Sequence, residues 1–238
     1  MHPVINETVS REHPTYAVIV AGGQGTRMGS AIPKQFLELN GKPVLYYALK
    51  AFLDAVPAIR LVLVLPPHQI SYAHIVLQHF PEGPDITVVA GGETRFHSVR
   101  NGLEAITVSG SVVMVHDGVR PLVSGALIRR CLEQAVMKGS AIPAIAVTDS
   151  IRMVGEETSS PVDRSRLRIV QTPQAFRSEI LLPAFRQPFQ EGFTDEATVV
   201  EAYGTRVFLA DGERSNLKIT TPEDLLIASG LLARIAGE

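Results

Sequence analysis

Residues 16–36 read YAVIVAGGQGTRMGSAIPKQF, and this stretch sets how the rest of the chain is read. Ala17, Val18, Ile19 and Val20 form an apolar run rich in β-branched residues, the pattern of a strand buried on both faces. The run stops at Ala21, Gly22, Gly23 and Gly25, where missing Cβ atoms let backbone N–H groups crowd around a ligand. Arg27 and Lys34 follow, and Pro33 stiffens the backbone just before the lysine. A glycine-rich turn at the C-terminal end of a strand, with cations beside it, suits a nucleotide phosphate chain. Two common glycine motifs fail here. A Walker loop closes on Gly-Lys-Ser/Thr, whereas Gly29 precedes Ser30 and Ala31; the dinucleotide fingerprint is missed by one residue, since Gly23, Gly25 and Gly29 give G-x-G-x-x-x-G. A bare β-to-α turn would need no such long, cation-bearing loop.

Outside this stretch, strands and helices alternate. Apolar residues at helical spacing run through Val44, Leu45, Ala48, Ala51 and Phe52, and a second buried strand, residues 61–65, halts at Pro66 and Pro67. Residues 68–80 read as helical, 86–89 as a third strand, 111–115 as a fourth and 141–147 as a fifth, with helix from 128 to 136. This order implies an α/β fold: a mostly parallel, Rossmann-like twisted sheet with right-handed crossovers and helices on both faces. At 238 residues the chain is read as one domain, with residues 1–15 a polar N-terminal extension. Residues 148–172 break the alternation. They read as a hairpin arm of two partly polar strands, the second at 167–172, and a lone hairpin is marginal in water, so the arm must pack on something.

Composition limits the function. Lys and Arg total 22 against 24 Asp and Glu, a formal charge of −2, which argues against a nucleic-acid surface. Cys131, the only cysteine, sits in an apolar helical pattern, so a disulfide framework is excluded. The N-terminus lacks the apolar core of a secretory signal and the apolar runs are too short to span a bilayer, so the expected location is the cytoplasm, with no membrane partner.

Further candidates lie where strands end. Gly91 and Gly92 follow the third strand, leading to Glu93 and Ser98, which could read a base edge or, for Ser98, cap a helix. Asp117 ends the fourth strand as a turn residue or an anchor for ribose or Mg²⁺; the neighbouring His116 has no second ligand at metal-binding spacing. Asp195 and Glu196 read most simply as charges at a helix start. Lys218 alternates with Leu217 and Ile219 and so points away from their core.

The segment A-G-G-x-G-x-R-M-G-x(4)-K-Q resembles the signature loop of nucleotidyltransferases that join a sugar or polyol phosphate to a nucleoside triphosphate. Within them it is most similar to the 2-C-methyl-D-erythritol 4-phosphate cytidylyltransferases of the non-mevalonate isoprenoid pathway. The likeness extends, in order, through Gly92-Glu93, His116-Asp117, Gln171-Thr172-Pro173-Gln174 and N-x-K-I-T up to residue 232. It implies CTP and a polyol phosphate as substrates, pyrophosphate as a product, and Mg²⁺ carried mainly by the CTP phosphates, with few protein ligands. Arg27, Lys34, Arg164 and Lys218 match the catalytic positions. Ala21, Gly22, Gly23, Gly25, Gly92, Glu93, Ser98 and Asp117 match nucleotide contacts, although Asp is more usual at position 93. Arg120, Ser150 (usually Thr), Arg164, Thr172 and Lys218 match contacts to the polyol phosphate. In the family the arm crosses a homodimer and delivers residues to the neighbour's site, so residues 148–172 are expected to dimerise the chain.

The rival readings are weaker. A ribitol 5-phosphate cytidylyltransferase shares the loop, but the F-T-D-E-A segment and V-D-R favour methylerythritol. A non-catalytic nucleotide-binding module would be expected to lack Lys34 or Lys218. An NAD-dependent oxidoreductase needs correctly spaced glycines and an acid at the end of the second strand, where Pro66 and Pro67 stand.

Overall fold

The computed structural model describes residues 13–22 and 32–236. Residues 1–12 of the expected extension, together with Gly23, Gly25 and Arg27, lie outside them. The first strand, β1 (Thr15–Val20), is buried along its whole length, and Pro14 before it already accepts a hydrogen bond from Val112 N. It pairs in parallel with β4 (Arg60–Leu65) on one side and β6 (Val112–Asp117) on the other, and β4 pairs in parallel with β5 (Ile86–Ala90). A two-stranded ribbon, β2 (Glu38–Leu39) and β3 (Lys42–Pro43), lies between β1 and the first helix.

Period-two side-chain alternation on β1 separates two cores. Ala17 and Ile19 face one side with Leu61, Leu63 and Met114, under α1 (Val44–Ala55) and α4 (Gly125–Lys138). A short helix, α2 (Ala73–Leu77), joins that layer. Tyr16, Val18 and Val20 face the other side with Val62, Val64 and Val115, under α3 (Arg95–Leu103), α5 (Ser178–Ala184) and α6 (Glu196–Ala202). Helices therefore cover both faces. A smaller core of Leu39, Val44, Leu122, Ile219 and Ala228 seats the last helix, α7 (Pro222–Ala236). Thr221 Oγ1 accepts from Asp224 N and the Asp224 carboxylate returns to Thr220 and Thr221 N–H groups, closing that helix start. Cys131 is buried in the first core.

The second half departs from simple alternation. β11 (Gln174–Arg177) inserts antiparallel between β6 and β7 (Ser140–Ala146), which makes the sheet mixed. The short strand β12 (Leu209–Asp211) pairs with β7 in parallel. The arm needs a correction. Its hairpin is β8 (Ile151–Val154) with β9 (Ser159–Val162), so the second strand lies before the expected 167–172. Residues 168–170 form β10 (Arg168–Val170), which pairs with β7 at the sheet edge, where open backbone groups offer a better partner than the short hairpin. Of the two readings of Ser98, the helix cap fails: Thr94, just before α3, supplies it by accepting from His97 N, and Ser98 lies inside the helix.

Close approach of α3 to the sheet depends on Gly102. A Cβ there would lie 2.6 Å from Val18 Cγ1 and 2.8 Å from Val64 Cγ2, both on fully packed strands. Overpacking of this kind typically costs about 1–3 kcal/mol. Gly102→Ala is therefore expected to lower the free energy of unfolding measured in urea by an amount in that range; an unchanged or raised value would show that the strands yield freely.

Candidate active site

The C-terminal ends of β1, β5 and β6 open onto one cleft, as expected where parallel strands stop and helices begin. Its volume is about 350 Å³, and it gathers Ala21, Gly22 and Lys34 on one side with Gly92, Glu93 and Ser98 on the other. Asp117 and Lys218 line the same cleft. The Ser98 hydroxyl accepts from Gly92 N at 3.1 Å and donates to Gly92 O at 3.3 Å, so the helix interior holds the loop in shape. Position 92 tolerates no side chain without movement, because a Cβ would stand 2.5 Å from His97 Cβ. Glu93 is exposed at the rim. Lys34 Nζ donates to Ile219 O at 3.0 Å, which ties the glycine-rich entrance to the segment bearing Lys218.

A second, smaller pocket of about 220 Å³ adjoins the first and contains Arg120, Thr172, Thr194 and Asp195. The two spaces share a wall made of Arg95, Asp117 and Lys218. Asp117 is the anion at the centre of that wall. Lys218 Nζ lies 3.0 Å and Arg120 Nε 3.4 Å from its Oδ2, while Arg95 Nη2 lies 3.3 Å from Oδ1. Burial alone would push the Asp117 carboxyl up; Arg95, Lys218 and Arg120 outweigh it and hold the group well below the usual carboxylate range. Three cations on one carboxylate leave a surplus of positive charge facing both spaces, which suits phosphate.

The surrounding hydrogen bonds fix this wall. Thr172 Oγ1 accepts from Asp117 N at 3.1 Å and meets His116 Nδ1 at 3.0 Å, and His116 Nε2 meets Arg120 O at 3.2 Å. A neutral imidazole with its proton on Nε2 satisfies all of these at once: the threonine hydroxyl donates to Nδ1, and Nε2–H donates to the carbonyl. The Asn216 side chain donates to Thr172 O at 2.8 Å, and the Asn216 backbone carbonyl accepts from Arg120 Nη1 at 2.8 Å.

Ser150 and Arg164 do not reach either space within the chain. Both are exposed on the arm segment, and Arg164 donates to Thr148 O. Arg95, absent from the sequence candidates, and Glu196, read there only as a charge at a helix start, are central here. Glu196 is fully buried and paired with Arg95, so it is no simple capping charge; Asp195 does cap α6, in a reciprocal box with Thr198. The only sequence signal for Arg95 was its place three residues past a glycine pair at a strand end.

Two adjoining spaces with a common, positively charged wall suit the joining of two phosphates, and the matches to known proteins place the molecule in the nucleotidyltransferase class. Comparisons with known proteins narrow this further. A family model described as IspD: 2-C-methyl-D-erythritol 4-phosphate cytidylyltransferase matches residues 15–234, and the chain belongs to that family. It is 48% identical over 218 residues to 2-C-methyl-D-erythritol 4-phosphate cytidylyltransferase of Bacteroides fragilis, covering 91% of this chain and 98% of the relative. A Porphyromonas gingivalis protein of the same name is 48% identical over 222 residues, covering 93% and 99%. Among solved structures, the Anaerococcus prevotii 4-diphosphocytidyl-2C-methyl-D-erythritol synthase superposes with a TM-score of 0.80 at 27% identity, covering 95% of this chain and 99% of that one. The Thermus thermophilus 2-C-methyl-D-erythritol 4-phosphate cytidylyltransferase gives 0.73 at 33% identity, covering 91% and 98%.

Burial pushes the His116 imidazole down to about 4, Asp117 opposes this, and Arg120 adds to it. The unfolded histidine titrates near 6.5. Its neutral form therefore contributes stability that is complete above about pH 6.5 and is lost as pH falls through about 4, by roughly 3 kcal/mol in all. Urea unfolding of the wild type should lose about that much more stability between pH 7 and pH 4 than unfolding of His116→Gln, and parallel profiles would refute the assignment.

Proposed function

We propose that the chain, as one nucleotidyltransferase domain, joins CTP and 2-C-methyl-D-erythritol 4-phosphate to give 4-diphosphocytidyl-2-C-methyl-D-erythritol and pyrophosphate, in isoprenoid precursor synthesis. The observation that carries this reading is the wall of Arg95, Asp117 and Lys218 between a nucleotide-sized cleft and a smaller cationic pocket. Family membership supplies the substrates. The larger cleft takes CTP, with its base against Gly92, Glu93 and Ser98, its ribose near Asp117 and its phosphates along Ala21, Gly22 and the glycine-rich loop containing Gly23, Gly25 and Arg27. The smaller pocket takes the polyol phosphate against Arg120 and Thr172.

An oxygen of the polyol phosphate attacks the α-phosphorus in line, the new P–O–P bond forms, and the bond to the leaving pyrophosphate breaks. No protein nucleophile is required. The work is positioning and charge stabilisation. Lys34 and Arg27 meet charge developing at the α-phosphate, and Lys218 holds the attacking phosphate. Asp117 and Glu196 are already saturated by cations, and no cluster of three or more metal-ligating side chains occurs among the described residues. That donor set does not fit a protein-held ion, so the Mg²⁺ expected for this chemistry would travel on the triphosphate oxygens. Among the described residues no helix is long and apolar enough to cross a membrane; a cytoplasmic location fits the proposed substrates.

A pyrophosphate-release assay crossing four nucleoside triphosphates with methylerythritol, ribitol and hexose phosphates tests the reading. CTP with the methylerythritol phosphate should exceed UTP by at least about tenfold in kcat/KM, equivalent to ~1.4 kcal/mol. Equal use of UTP, or a preference for ribitol phosphate, would overturn it.

The arm adds a homodimer to this proposal. β8 and β9 pair with each other, Met153 and Val154 are 65% and 83% exposed, and Ile169 and Val170 on β10 are exposed as well. Apolar side chains on so small a hairpin favour burial against a second copy. Each arm would then carry Ser150 and Arg164 into the neighbouring site, toward the polyol phosphate. Mixing inactive Arg164→Ala chains with inactive Lys34→Ala chains should restore activity, since one site of each mixed dimer holds both wild-type residues. Mixed dimers without activity would place Arg164 in its own chain's site.

A further inference from the structure

Glu196 is 0% exposed, has an acid beside it in sequence, and is used by no step of the reaction described above. Its place is nonetheless specified from several directions. Gln174 on β11 donates to Asp195 Oδ2 at 2.9 Å and accepts from Ala197 N at 2.9 Å, so the sheet itself seats the first turn of α6. Asp195 closes that turn through Thr198 N at 2.9 Å. The result aims Glu196 at Arg95 from the far side of the cleft wall. Its two oxygens take both terminal nitrogens of the guanidinium, Nη1 to Oε1 and Nη2 to Oε2, the latter at 3.2 Å. Arg95 Nη2 is shared with Asp117 Oδ1 at 3.3 Å.

We propose that Glu196 is a positioning residue for the transfer reaction: by engaging both ends of Arg95 it limits that guanidinium to one oxygen of Asp117 and leaves the other oxygen to orient Lys218 and Arg120 toward the attacking phosphate. The inference rests on the cytidylyltransferase reading of the two spaces. Its physical basis is charge arithmetic in a wall whose two carboxylates are buried. Arg95, Arg120 and Lys218 oppose Asp117 and Glu196, which leaves one net positive charge. Without the Glu196 carboxylate the same wall would carry two, and the added charge would sit on Arg95. Arg95 borders both spaces, so an uncompensated guanidinium there could draw Asp117 off Lys218 or capture a phosphate out of line with its target. Burial pushes the Glu196 carboxyl up and Arg95 opposes it, so the pair is a matched unit in which neither charge is tolerated alone.

This predicts a specific pattern in steady-state kinetics of the full-length protein. Glu196→Gln should raise KM for 2-C-methyl-D-erythritol 4-phosphate about tenfold and lower kcat. The double variant Arg95→Gln/Glu196→Gln, in which two amides replace the ion pair, should recover at least threefold in kcat/KM over Glu196→Gln. A purely structural role would reduce the active fraction and kcat while leaving KM unchanged, and that outcome overturns the proposal. So does a double variant no better than the single, which would make Arg95 itself a substrate ligand. Should Glu196→Gln fail to fold, Glu196→Asp keeps the charge with a shorter reach; it should show a smaller rise in the same KM, and a normal KM would refute the idea. Wild-type protein is assayed first: absence of turnover there would overturn the cytidylyltransferase reading and this assignment with it, whereas wild-type turnover with an unchanged KM in Glu196→Gln would overturn the assignment alone.

Discussion

The carboxylate of Asp117 is the constraint on which the site depends. It stands at the end of β6, buried, beneath Arg95, Arg120 and Lys218, which arrive from α3, from the turn after β6 and from the segment before α7. Three cations could not be gathered this closely without an anion between them, and an anion could not be buried there without the cations. The cluster is thus mutually stabilising as a set. It also pins three separate chain segments at one point, so that a cleft and a pocket are formed on its two sides. Phosphate recognition is what a surplus of one positive charge in that wall is suited to do.

Apolar packing brings the set together. The alternation of β1 sends Ala17 and Ile19 into one core and Val18 and Val20 into the other, and both cores are closed by helices whose adjoining loops carry site groups. α3 reaches the sheet so closely because residue 102 has no side chain, and its N-terminus thereby holds Arg95 at the cleft. His116 is treated the same way. Its ring is packed against Phe52 at 5.1 Å between centroids and is hydrogen-bonded through both nitrogens, so the residue next to Asp117 cannot rotate without breaking the wall.

Much of this could be read in the sequence wherever the cause is local. A β-branched run followed by glycines announces a buried strand and a backbone-lined loop, and the alternation of strands with helical spacing announces a parallel sheet. The arm was harder, because pairing partners are a tertiary choice. Ser159, Ser160 and Pro161 carry no strand signal, yet they pair with Arg152–Val154, while Ile169 and Val170, which do carry one, join the edge at β7. Glu196 was misjudged for a similar reason. An acid in a helix's first turn needs no partner to explain it, and the arginine that makes this one buried lies 101 residues earlier. Ser150 and Arg164 could be placed on the arm from sequence, but the chain alone does not carry them to the clefts.

The insertion of β11 has a consequence for how such a molecule comes into being. β6, which carries Asp117, has β1 along one edge and β11 along the other, partners drawn from residues 15–20 and 174–177. As the chain leaves the ribosome, the first half can pair β1, β4, β5 and β6 in parallel, but the outer edge of β6 stays open until three quarters of the chain has been made. Glu196 and Lys218 come later still. The charged wall is therefore among the last parts of the protein to exist, and a nascent chain arrested midway would hold four of the sheet's eight strands, with an unpaired edge and an acid lacking Lys218 and Glu196.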